Sequence, residues 1–297
     1  MPFFSVIIPL YNKEKYIENT LRSVLAQTFS DFEIIIVNDG STDGSAEIVS
    51  QFADPRICYY SQENKGVSAA RNFGITVSKA DYITFLDADD YWYPEFLEVM
   101  KQNIEDFPSA SVFSSAFEKQ TAKGTFPAQY AVAKSADRQL VNYFTSSYKE
   151  TIICTSAAVF HKSVLQKAGN FDTAIKSGQD TDLWIRIGLL FPVLFDWRIL
   201  ARYVYVPNSL SKMTNLARTR IRFEKYVEAE KTNPDLKKFL DLNRWSIALQ
   251  AKKIGDYLFY NQLCKEINWK NIHWKKRLFL KLPTRVSSLI IQWKSKL

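Results

Sequence analysis

Three carboxylates stand within four residues in the segment Asp87-Ala88-Asp89-Asp90, directly after an apolar run. Carboxylates this close repel one another unless a cation or hydrogen-bond donors neutralise them. Their oxygens suit Mg²⁺ or Mn²⁺, which proteins commonly hold through one or two carboxylates together with substrate phosphates. Aspartates also cap many helices, so the same cluster fits the start of the helix that Pro94 would open. The cluster alone favours neither interpretation.

Two other polar segments each allow two interpretations. In the segment from Asn38 to Asp43, an acid at a strand end can accept from a nucleobase N–H or a ribose hydroxyl. Taken alone, a solvated turn capped by Ser41 explains that segment better. The segment from Asn64 to Arg71 is a small-residue loop that enters a helix, and helix N–H groups with an arginine can bind a diphosphate. A surface arginine on an amphipathic helix is the alternative.

Apolar, β-branched runs alternate with segments of helical periodicity over the first 107 residues. The strand-like runs are 4–9, 32–37, 57–61 and 82–86, and the helical segments are 15–27, 42–52, 67–78 and 94–107. This alternation predicts an α/β fold with a mainly parallel sheet flanked by helices. Ligands of such sheets bind beyond the carboxyl ends of the strands, where the three polar segments fall.

The periodicity weakens after this region. Residues 118–150 favour irregular or mixed structure, followed by a strand over 152–160 and helices over 163–168 and 180–190. Beyond residue 215 the pattern is helical and basic to the end. We therefore expect a domain over 1–213, divided near residue 100, and a basic helical C-terminal region over 214–297.

The charge is distributed unevenly along the chain. The net charge is +8, but residues 1–210 carry −5 and residues 211–297 carry +13. This difference predicts an acidic globular body and a basic tail that seeks an anionic surface. The composition, 46% hydrophobic and 24% charged, excludes a disordered or low-complexity chain.

Several classes of protein are not expected. The longest uncharged apolar run, from Ile187 to Phe195, has nine residues, whereas about 20 are needed to span a bilayer. The N-terminus lacks the basic region of a secretory signal. The three cysteines are far apart, which argues against a disulfide scaffold or a cysteine zinc site and favours a cytoplasmic location. Neither histidine has a second histidine nearby, so we interpret both as non-ligands.

Four segments taken together are far more specific than any of them alone. They are Pro9-Leu10-Tyr11-Asn12, Asn38-Asp39-Gly40-Ser41-Thr42-Asp43, Gly66-Val67-Ser68-Ala69-Ala70-Arg71-Asn72 and Asp87-Ala88-Asp89-Asp90. In this order and spacing they closely resemble the family 2 glycosyltransferases of the GT-A fold, over about residues 3–210 and most strongly over 4–100. The resemblance implies a catalytic domain over 1–213, with a nucleotide-binding half (1–100) and an acceptor half (101–213). It also implies a nucleotide-sugar donor such as a UDP-sugar, a Mn²⁺ or Mg²⁺ cofactor, and inversion at the anomeric carbon.

The resemblance further implies roles for individual residues. Pro9 and Tyr11 would lie in the base pocket, Asp39 on the base N–H, Arg71 on the diphosphate and Asp87 on the ribose side, with Asn64 and Ala88 as further nucleotide-sugar ligands. Asp89, the second acid of the Asp-x-Asp motif, would hold the metal. A metal and an arginine offset the charge that grows on the nucleoside diphosphate as it leaves.

An inverting displacement also needs a base that takes the proton from the attacking hydroxyl. The segment from Ser177 to Trp184 matches the region where the family carries Glu-Asp before a helix, and this match places Asp180 at the base position. Asp182 is the next candidate, and the alternative is that Asp180 simply caps the helix. Gln179 departs from the family's Glu, so an amide takes over whatever that carboxylate does, such as fixing acceptor hydroxyls.

Two further departures from the family pattern bear on function. Val204 and Val206 stand where the family often carries Arg and His, which puts an extra phosphate or metal ligand in doubt. The Gln-x-x-Arg-Trp of processive members is absent, which favours transfer of a single sugar. We therefore expect an inverting, metal-dependent glycosyltransferase that moves one sugar to a hydroxyl of a glycan or lipid-linked saccharide, as in polysaccharide biosynthesis. The alternative is a catalytically inert, basic protein on the same fold that binds membrane or nucleic acid.

The end of the chain, residues 269–297, is basic and rich in tryptophan. It has eight Lys and Arg, three Trp and no acidic residue. After Pro283 an apolar stripe at helical spacing follows, consisting of Val286, Leu289, Ile290, Trp293 and Leu297. These features predict peripheral attachment to the anionic inner face of the cell membrane, with no nucleic-acid partner. Packing of the stripe on the catalytic body is the alternative.

Overall fold

The computed structural model describes residues 1–206, 221–283 and 286. The chain forms two compact units, Met1–Ser209 and Leu210–Leu297. The first unit contains β1 (Phe4–Leu10), α1 (Ile17–Leu25), β2 (Phe32–Asp39), α2 (Ser45–Ser50), β3 (Ile57–Gln62), α3 (Val67–Val77), β4 (Tyr82–Phe85), β5 (Tyr91–Trp92), α4 (Phe96–Asp106), β6 (Val112–Thr121), β7 (Gly124–Pro127), β8 (Arg138–Val141), α5 (Tyr143–Ser146), β9 (Ala158–His161), α6 (Lys162–Ala168), α7 (Gln179–Leu190) and β10 (Val193–Val204). The predicted boundary at residues 213 and 214 lies outside the described residues.

The N-terminal half of the first unit is a parallel sheet in the order β3-β2-β1-β4. Every residue of β1 and β2 is buried, because both strands are apolar, β-branched runs covered on two faces. Helix α3 lies close to this sheet, since a Cβ added at Gly74 would stand 2.5 Å from Cγ2 of Ile7. The alternation of strands and helices predicted for this region is confirmed.

The sheet continues as β9-β6-β10-β5, and this half is mixed. Strand β9 is antiparallel to both β4 and β6, whereas β6 and β10 are parallel. The other edge of β10 pairs with the short strands β8 and β5, both antiparallel. The α/β class is therefore confirmed, and the sheet is parallel in its first half only.

Two segments differ from their expected structure. Residues 118–150, expected to be irregular or mixed, contain the end of β6, the hairpin strand β7, β8 and α5. All four residues of β7 are exposed, which explains the missing alternation. The strand expected over 152–160 begins only at Ala158, because a 3₁₀ turn at Thr155–Ala157 precedes it.

The second unit is helical in its described part, with α8 (Val227–Thr232), α9 (Pro234–Lys253), α10 (Tyr257–Glu266) and α11 (Trp274–Lys281). Arg244 of α9 is 1% exposed and lies within salt-bridge distance of Glu230, Asp241 and Glu266. These contacts join the helices on both sides of α9 through one buried cation, which explains why an arginine is tolerated in this core.

Helix α11 is held against α9 by side chains that reach its backbone. Trp245 donates to the carbonyl of Lys276, and Lys252 donates to the carbonyl of Leu280. Ile272 and Leu280 are fully or almost fully buried. The apolar stripe predicted after Pro283 lies outside the described residues, apart from Val286. Among the helices that the structure describes, none has the length and apolar character needed to cross a membrane.

Candidate active site

The loops that follow β1 and β2 are tied together by hydrogen bonds. The backbone N–H of Asn12 donates to Ser41 at 3.1 Å, and the Asn12 side chain accepts from the N–H of Thr42 at 2.8 Å. One residue further, the N–H of Lys13 donates to Ser45 at 2.8 Å. Asn12 has a φ of 50°, a left-handed conformation that asparagine tolerates. The two loops therefore form one rigid rim at the carboxyl ends of the strands.

Asp39, at the end of β2, is 3% exposed and holds the loop after β3. One carboxylate oxygen accepts from Gln62 at 2.7 Å and from the N–H of Lys65 at 2.9 Å. The other accepts from the N–H of Gly66 at 2.8 Å. Both oxygens are thus engaged within the protein, and the contact with a base N–H stays a prediction.

The other residues expected around the base lie at this same edge. Pro9 is buried within β1, whereas Tyr11 directly follows the strand and is 46% exposed. Asn64 is exposed. Its backbone lies close to the loop after β2, since a Cβ added at Gly40 would stand 2.9 Å from the backbone nitrogen of Asn64. Gly40 has a φ of 72°, so both space and conformation require glycine there.

The acidic loop 87–90 contains two ion pairs. Arg71 of α3 lies 2.5 Å from Asp87, and the Lys13 ammonium lies 2.5 Å from Asp89. Each of the first two acids of the Asp-x-Asp-Asp segment is therefore paired with a cation of the protein itself.

The third acid of the loop, Asp90, is a buried structural group. It is 1% exposed and accepts from Ser156 at 2.6 Å and from the N–H of Val204 at 2.9 Å. Thr20 of α1 donates to the carbonyls of Ala88 and Asp90, at 3.1 and 2.7 Å. Ala88, expected among the nucleotide-sugar ligands, is 2% exposed, so its side chain is packed within the protein. These contacts fix the loop that carries Asp87 and Asp89.

Burial and mutual repulsion both act on the carboxylates of this loop. Burial raises the pKa of Asp90 well above its usual range, and the charges of Asp87 and Asp89 add to the effect. Burial also raises the pKa of Asp89, while the neighbouring Lys13 lowers it and Asp87 raises it. Positive charge beside this loop is therefore stabilised, as the pairing of Asp89 with Lys13 shows.

Arg71 has hydrogen-bonding capacity that its surroundings do not use. The residue is 3% exposed, and its guanidinium lies 5.1 Å from the centre of the Phe171 ring. One terminal nitrogen binds Asp87, but Nε and Nη1 are buried without a partner among the described residues. Buried polar atoms are nearly always satisfied, so two open donors on a buried cation indicate a site for an anion.

Asp180 is the second residue of α7, and Gly178 stands at the N-cap with a φ of 83°. Asp180 therefore does not cap the helix as the alternative proposed. One of its oxygens accepts from the N–H of Thr181 at 2.7 Å, and its side chain is partly exposed. The other oxygen has no hydrogen bond among the residues that the structure describes, so it is free to accept one.

Cys154 connects this helix electrostatically with the acidic loop. Burial raises the pKa of its thiol well above the usual range, and the charges of Asp90, Asp87 and Asp180 raise it further. All three carboxylates therefore lie close enough to one sulfur atom to act on it.

The neighbours of Asp180 have different environments. Asp182 is fully buried and binds Arg186, which in turn donates to backbone carbonyls at the end of α6, so this acid has a structural contact. The side-chain oxygen of Gln179 is buried without a partner in the described part of the chain. Val206 is buried, and Val204 contributes its backbone N–H to the acidic loop.

The side chains that could coordinate a metal ion limit which metal the site could hold. Within residues 1–206 and 221–283, no group of three or more His, Cys, Asp and Glu side chains is arranged to hold a metal ion. In the part of the chain that the structure describes, the Asp-x-Asp motif offers the carboxylates of Asp87 and Asp89 as metal ligands. This set fits Mg²⁺ or Mn²⁺, which complete their shells with water and substrate phosphate oxygens, and the open donors of Arg71 fit that phosphate.

Comparison with known proteins agrees with this geometry. The family model described as Glycosyl transferase family 2 matches residues 5–169, which is more than half of the chain. The chain belongs to glycosyltransferase family 2. The family and the GT-A fold expected from the motifs are thereby confirmed.

Curated relatives of this family 2 chain match over part of their length. Glycosyltransferase GlyA of Streptococcus pneumoniae is 39% identical over 124 residues, covering 41% of this chain and 18% of the relative. The uncharacterised glycosyltransferase RT0329 of Rickettsia typhi is 30% identical over 204 residues, covering 68% of this chain and 63% of the relative. The chain thus covers less than two thirds of the length of either protein.

Solved structures of TarS from S. aureus share the fold of this family 2 chain. The complex of TarS 1–349 with UDP-GlcNAc aligns with a TM-score of 0.62 and 17% identity, covering 96% of this chain and 77% of that one. The complex with UDP aligns with a TM-score of 0.60 and 19% identity, covering 95% of this chain and 90% of that one.

Sequence reasoning missed two contributors to this family 2 site. Lys13 lies 76 residues before its partner Asp89, and no periodicity links the two. Ser156 belongs to a buried apolar stretch that suggested only a strand, although its hydroxyl holds Asp90. Lys13 directly follows the motif Pro9-Leu10-Tyr11-Asn12, and this position indicated that it lies at the edge of the site.

Proposed function

We propose that this chain transfers one sugar from a UDP-sugar to a hydroxyl of a glycan or lipid-linked saccharide, with inversion and with a divalent metal. The observation that carries the proposal is the Arg71 guanidinium. It is buried and bound to Asp87 beside the acidic loop, and two of its nitrogen atoms have no partner among the residues that the structure describes. The complexes of TarS with UDP and with UDP-GlcNAc support a uridine nucleotide as donor.

The diphosphate of the donor would bind between Arg71 and the start of α3. This helix has eleven residues and begins directly after Gly66, and the first N–H groups of a helix have no partner within the helix itself. Helix N-termini and arginines both favour negative charge. They stabilise the charge that grows on the nucleoside diphosphate as the bond to the sugar breaks.

The metal would bind at Asp89, with Asp87 beside it. A bound Mn²⁺ or Mg²⁺ supplies positive charge to the departing diphosphate. The acidic loop is suited to this role because Thr20, Ser156 and the backbone of Val204 fix its position. Removal of Asp89 should therefore affect donor binding more than folding.

Asp180 would act as the general base. Its free oxygen accepts the proton of the acceptor hydroxyl while the hydroxyl oxygen forms a bond to the anomeric carbon. The bond from that carbon to the diphosphate oxygen breaks at the same time, and the nucleoside diphosphate leaves with the electron pair. Attack from the face opposite the leaving group inverts the anomeric configuration.

Titration calorimetry with UDP and Mn²⁺ tests the anion site. Arg71→Met should weaken UDP binding about 10- to 100-fold, because a hydrogen bond to a charged group contributes about 1.5–3 kcal/mol. Arg71→Lys, which keeps the charge, should lose less. Arg56→Met is the control, since Arg56 is paired with Asp54 before β3. Wild-type affinity in a folded Arg71→Met protein would refute the assignment, and no UDP binding by the wild type would favour the inert alternative.

We further propose that the second unit attaches the enzyme to an anionic membrane surface. In its described part, large apolar side chains are exposed, among them Tyr257 at 55%, Leu258 at 87%, Trp274 at 61% and Leu278 at 55%, and the Lys275 ammonium lies 5.7 Å from the centre of the Trp274 ring. Aromatic and aliphatic side chains with a basic background suit such an interface.

Sedimentation with anionic liposomes tests the attachment. A chain that ends at Pro283 is a cleaner test than one that ends before Trp269, because the longer deletion removes the buried Ile272 and Leu280. The Pro283 truncation combined with Trp274→Ser should lose sedimentation and keep UDP affinity. Sedimentation equal to that of the full chain would contradict membrane attachment.

A further inference from the structure

The ammonium group of Lys13 is bound to an oxygen of Asp89, the acid that the proposed function assigns to the metal. Its distance to Asp89 is 2.5 Å, and the side chains of Lys13 and Asp89 are only 23% and 13% exposed. Two positive charges cannot share one carboxylate in a poorly solvated site without strong repulsion. A metal ion at Asp89 therefore requires Lys13 to move.

The position of Lys13 is built into the fold. Its backbone N–H is fixed by Ser45, and its neighbours Asn12 and Glu14 are fixed by the loop after β2. The exposed Lys15, two residues away, forms no ion pair with the acids of the loop 87–90 and serves as a comparison. Only the flexible four-carbon side chain of Lys13 is free to change its partner.

The charges of the site are balanced before any ligand binds. Arg71 neutralises Asp87 and Lys13 neutralises Asp89. A nucleoside diphosphate adds negative charge at the open donors of Arg71, and this gives a nearby ammonium group a second anion to bind. Transfer of Lys13 to the diphosphate would leave Asp89 without a cation.

We propose that Lys13 is an exchangeable counter-ion that makes metal binding depend on the nucleotide. The ammonium group holds Asp89 in the free protein and moves to the diphosphate when the donor binds, which opens Asp89 to Mn²⁺ or Mg²⁺. This inference rests on the proposed function for the nucleotide and metal. Because such coupling is reciprocal, the metal must also strengthen nucleotide binding by the same factor.

Calorimetric titration of Mn²⁺ into the full-length protein, with and without UDP, tests the exchange. In the wild type, UDP should tighten Mn²⁺ binding by roughly 5- to 150-fold, the usual span of such coupling. Lys13→Met removes the competing charge, so it should bind Mn²⁺ more tightly than the wild type without UDP, and its response to UDP should shrink. Lys13→Gln provides a second neutral variant, and Lys15→Met should behave as the wild type.

The outcomes separate this inference from the proposed function. Equal Mn²⁺ affinity of the wild type and both neutral Lys13 variants without UDP would overturn the exchange, as would the absence of Mn²⁺ binding in all of them. Failure of the wild type to bind UDP would instead count against the proposed function. Tighter Mn²⁺ binding by Lys13→Met and Lys13→Gln, but not by Lys15→Met, would establish Lys13 as the competitor.

Discussion

Asp39→Ala should release the loop between β3 and α3. The carboxylate accepts hydrogen bonds from two backbone N–H groups of this loop, those of Lys65 and Gly66, at 2.9 and 2.8 Å. A hydrogen bond to a charged group contributes about 1.5–3 kcal/mol, and we take the lower value because Lys65 is solvent-exposed. Loss of both bonds then costs about 3 kcal/mol, which corresponds to a roughly 100-fold increase in loop opening.

Amide hydrogen exchange measures this opening directly. The amides of Lys65 and Gly66 should exchange about 100-fold faster in Asp39→Ala than in the wild type, whereas amides in the buried strand β1 should not change. Gln62→Ala is the matched control, because it removes the side-chain donor to Asp39 and keeps both backbone bonds. Unchanged exchange at both amides in Asp39→Ala would refute the view that this acid holds the loop.

Two further predictions concern stability. Burial raises the pKa of Asp90, so the folded state holds this proton more tightly than the unfolded state, and stability falls as the pH rises above the ordinary aspartate value of 3.8. Asp90→Asn should therefore raise the melting temperature near neutral pH and lose this advantage below about pH 4, which thermal melts across pH can check. Gly74→Ala should cost about 1–3 kcal/mol by overpacking against Ile7, and its melting temperature should fall. In Gly44→Ala the new Cβ meets only the Glu14 side chain, at 3.2 Å at the nearest, so that variant should be affected less.

The first half of the sheet was predictable because the composition of each strand indicates a buried strand without reference to the rest of the chain. The runs at β1 and β2 are continuous and β-branched, and burial on both faces requires that composition. The second half could not be predicted, because β10 pairs along its edges with three strands that are distant in sequence and β7 is wholly exposed. The apolar residues at 152–154 indicated a strand, but they precede the 3₁₀ turn at Thr155–Ala157 and belong to no strand.

The candidate site was predictable where its functional residues lie close together in the sequence. Consecutive acids identify the loop 87–90, and the motif around Arg71 identifies its partner helix. The different roles of the acids in this loop depend on contacts between residues far apart in sequence, such as those of Ser156 with Asp90 and Lys13 with Asp89. Neither contact leaves a periodic pattern, so only the folded chain shows that Asp90 is structural and that Asp89 is already paired.

Release of UDP from a panel of UDP-sugars with Mn²⁺, compared between the wild type and Asp180→Asn, tests the central claim most directly. The wild type should release UDP from at least one donor, and Asp180→Asn should be slower by about 10²- to 10⁴-fold with unchanged UDP affinity. Asp182→Asn provides a neighbouring comparison, and its effect should come through stability because this acid is buried against Arg186. Full turnover by a folded Asp180→Asn protein, or no UDP release by the wild type from any donor, would contradict the account.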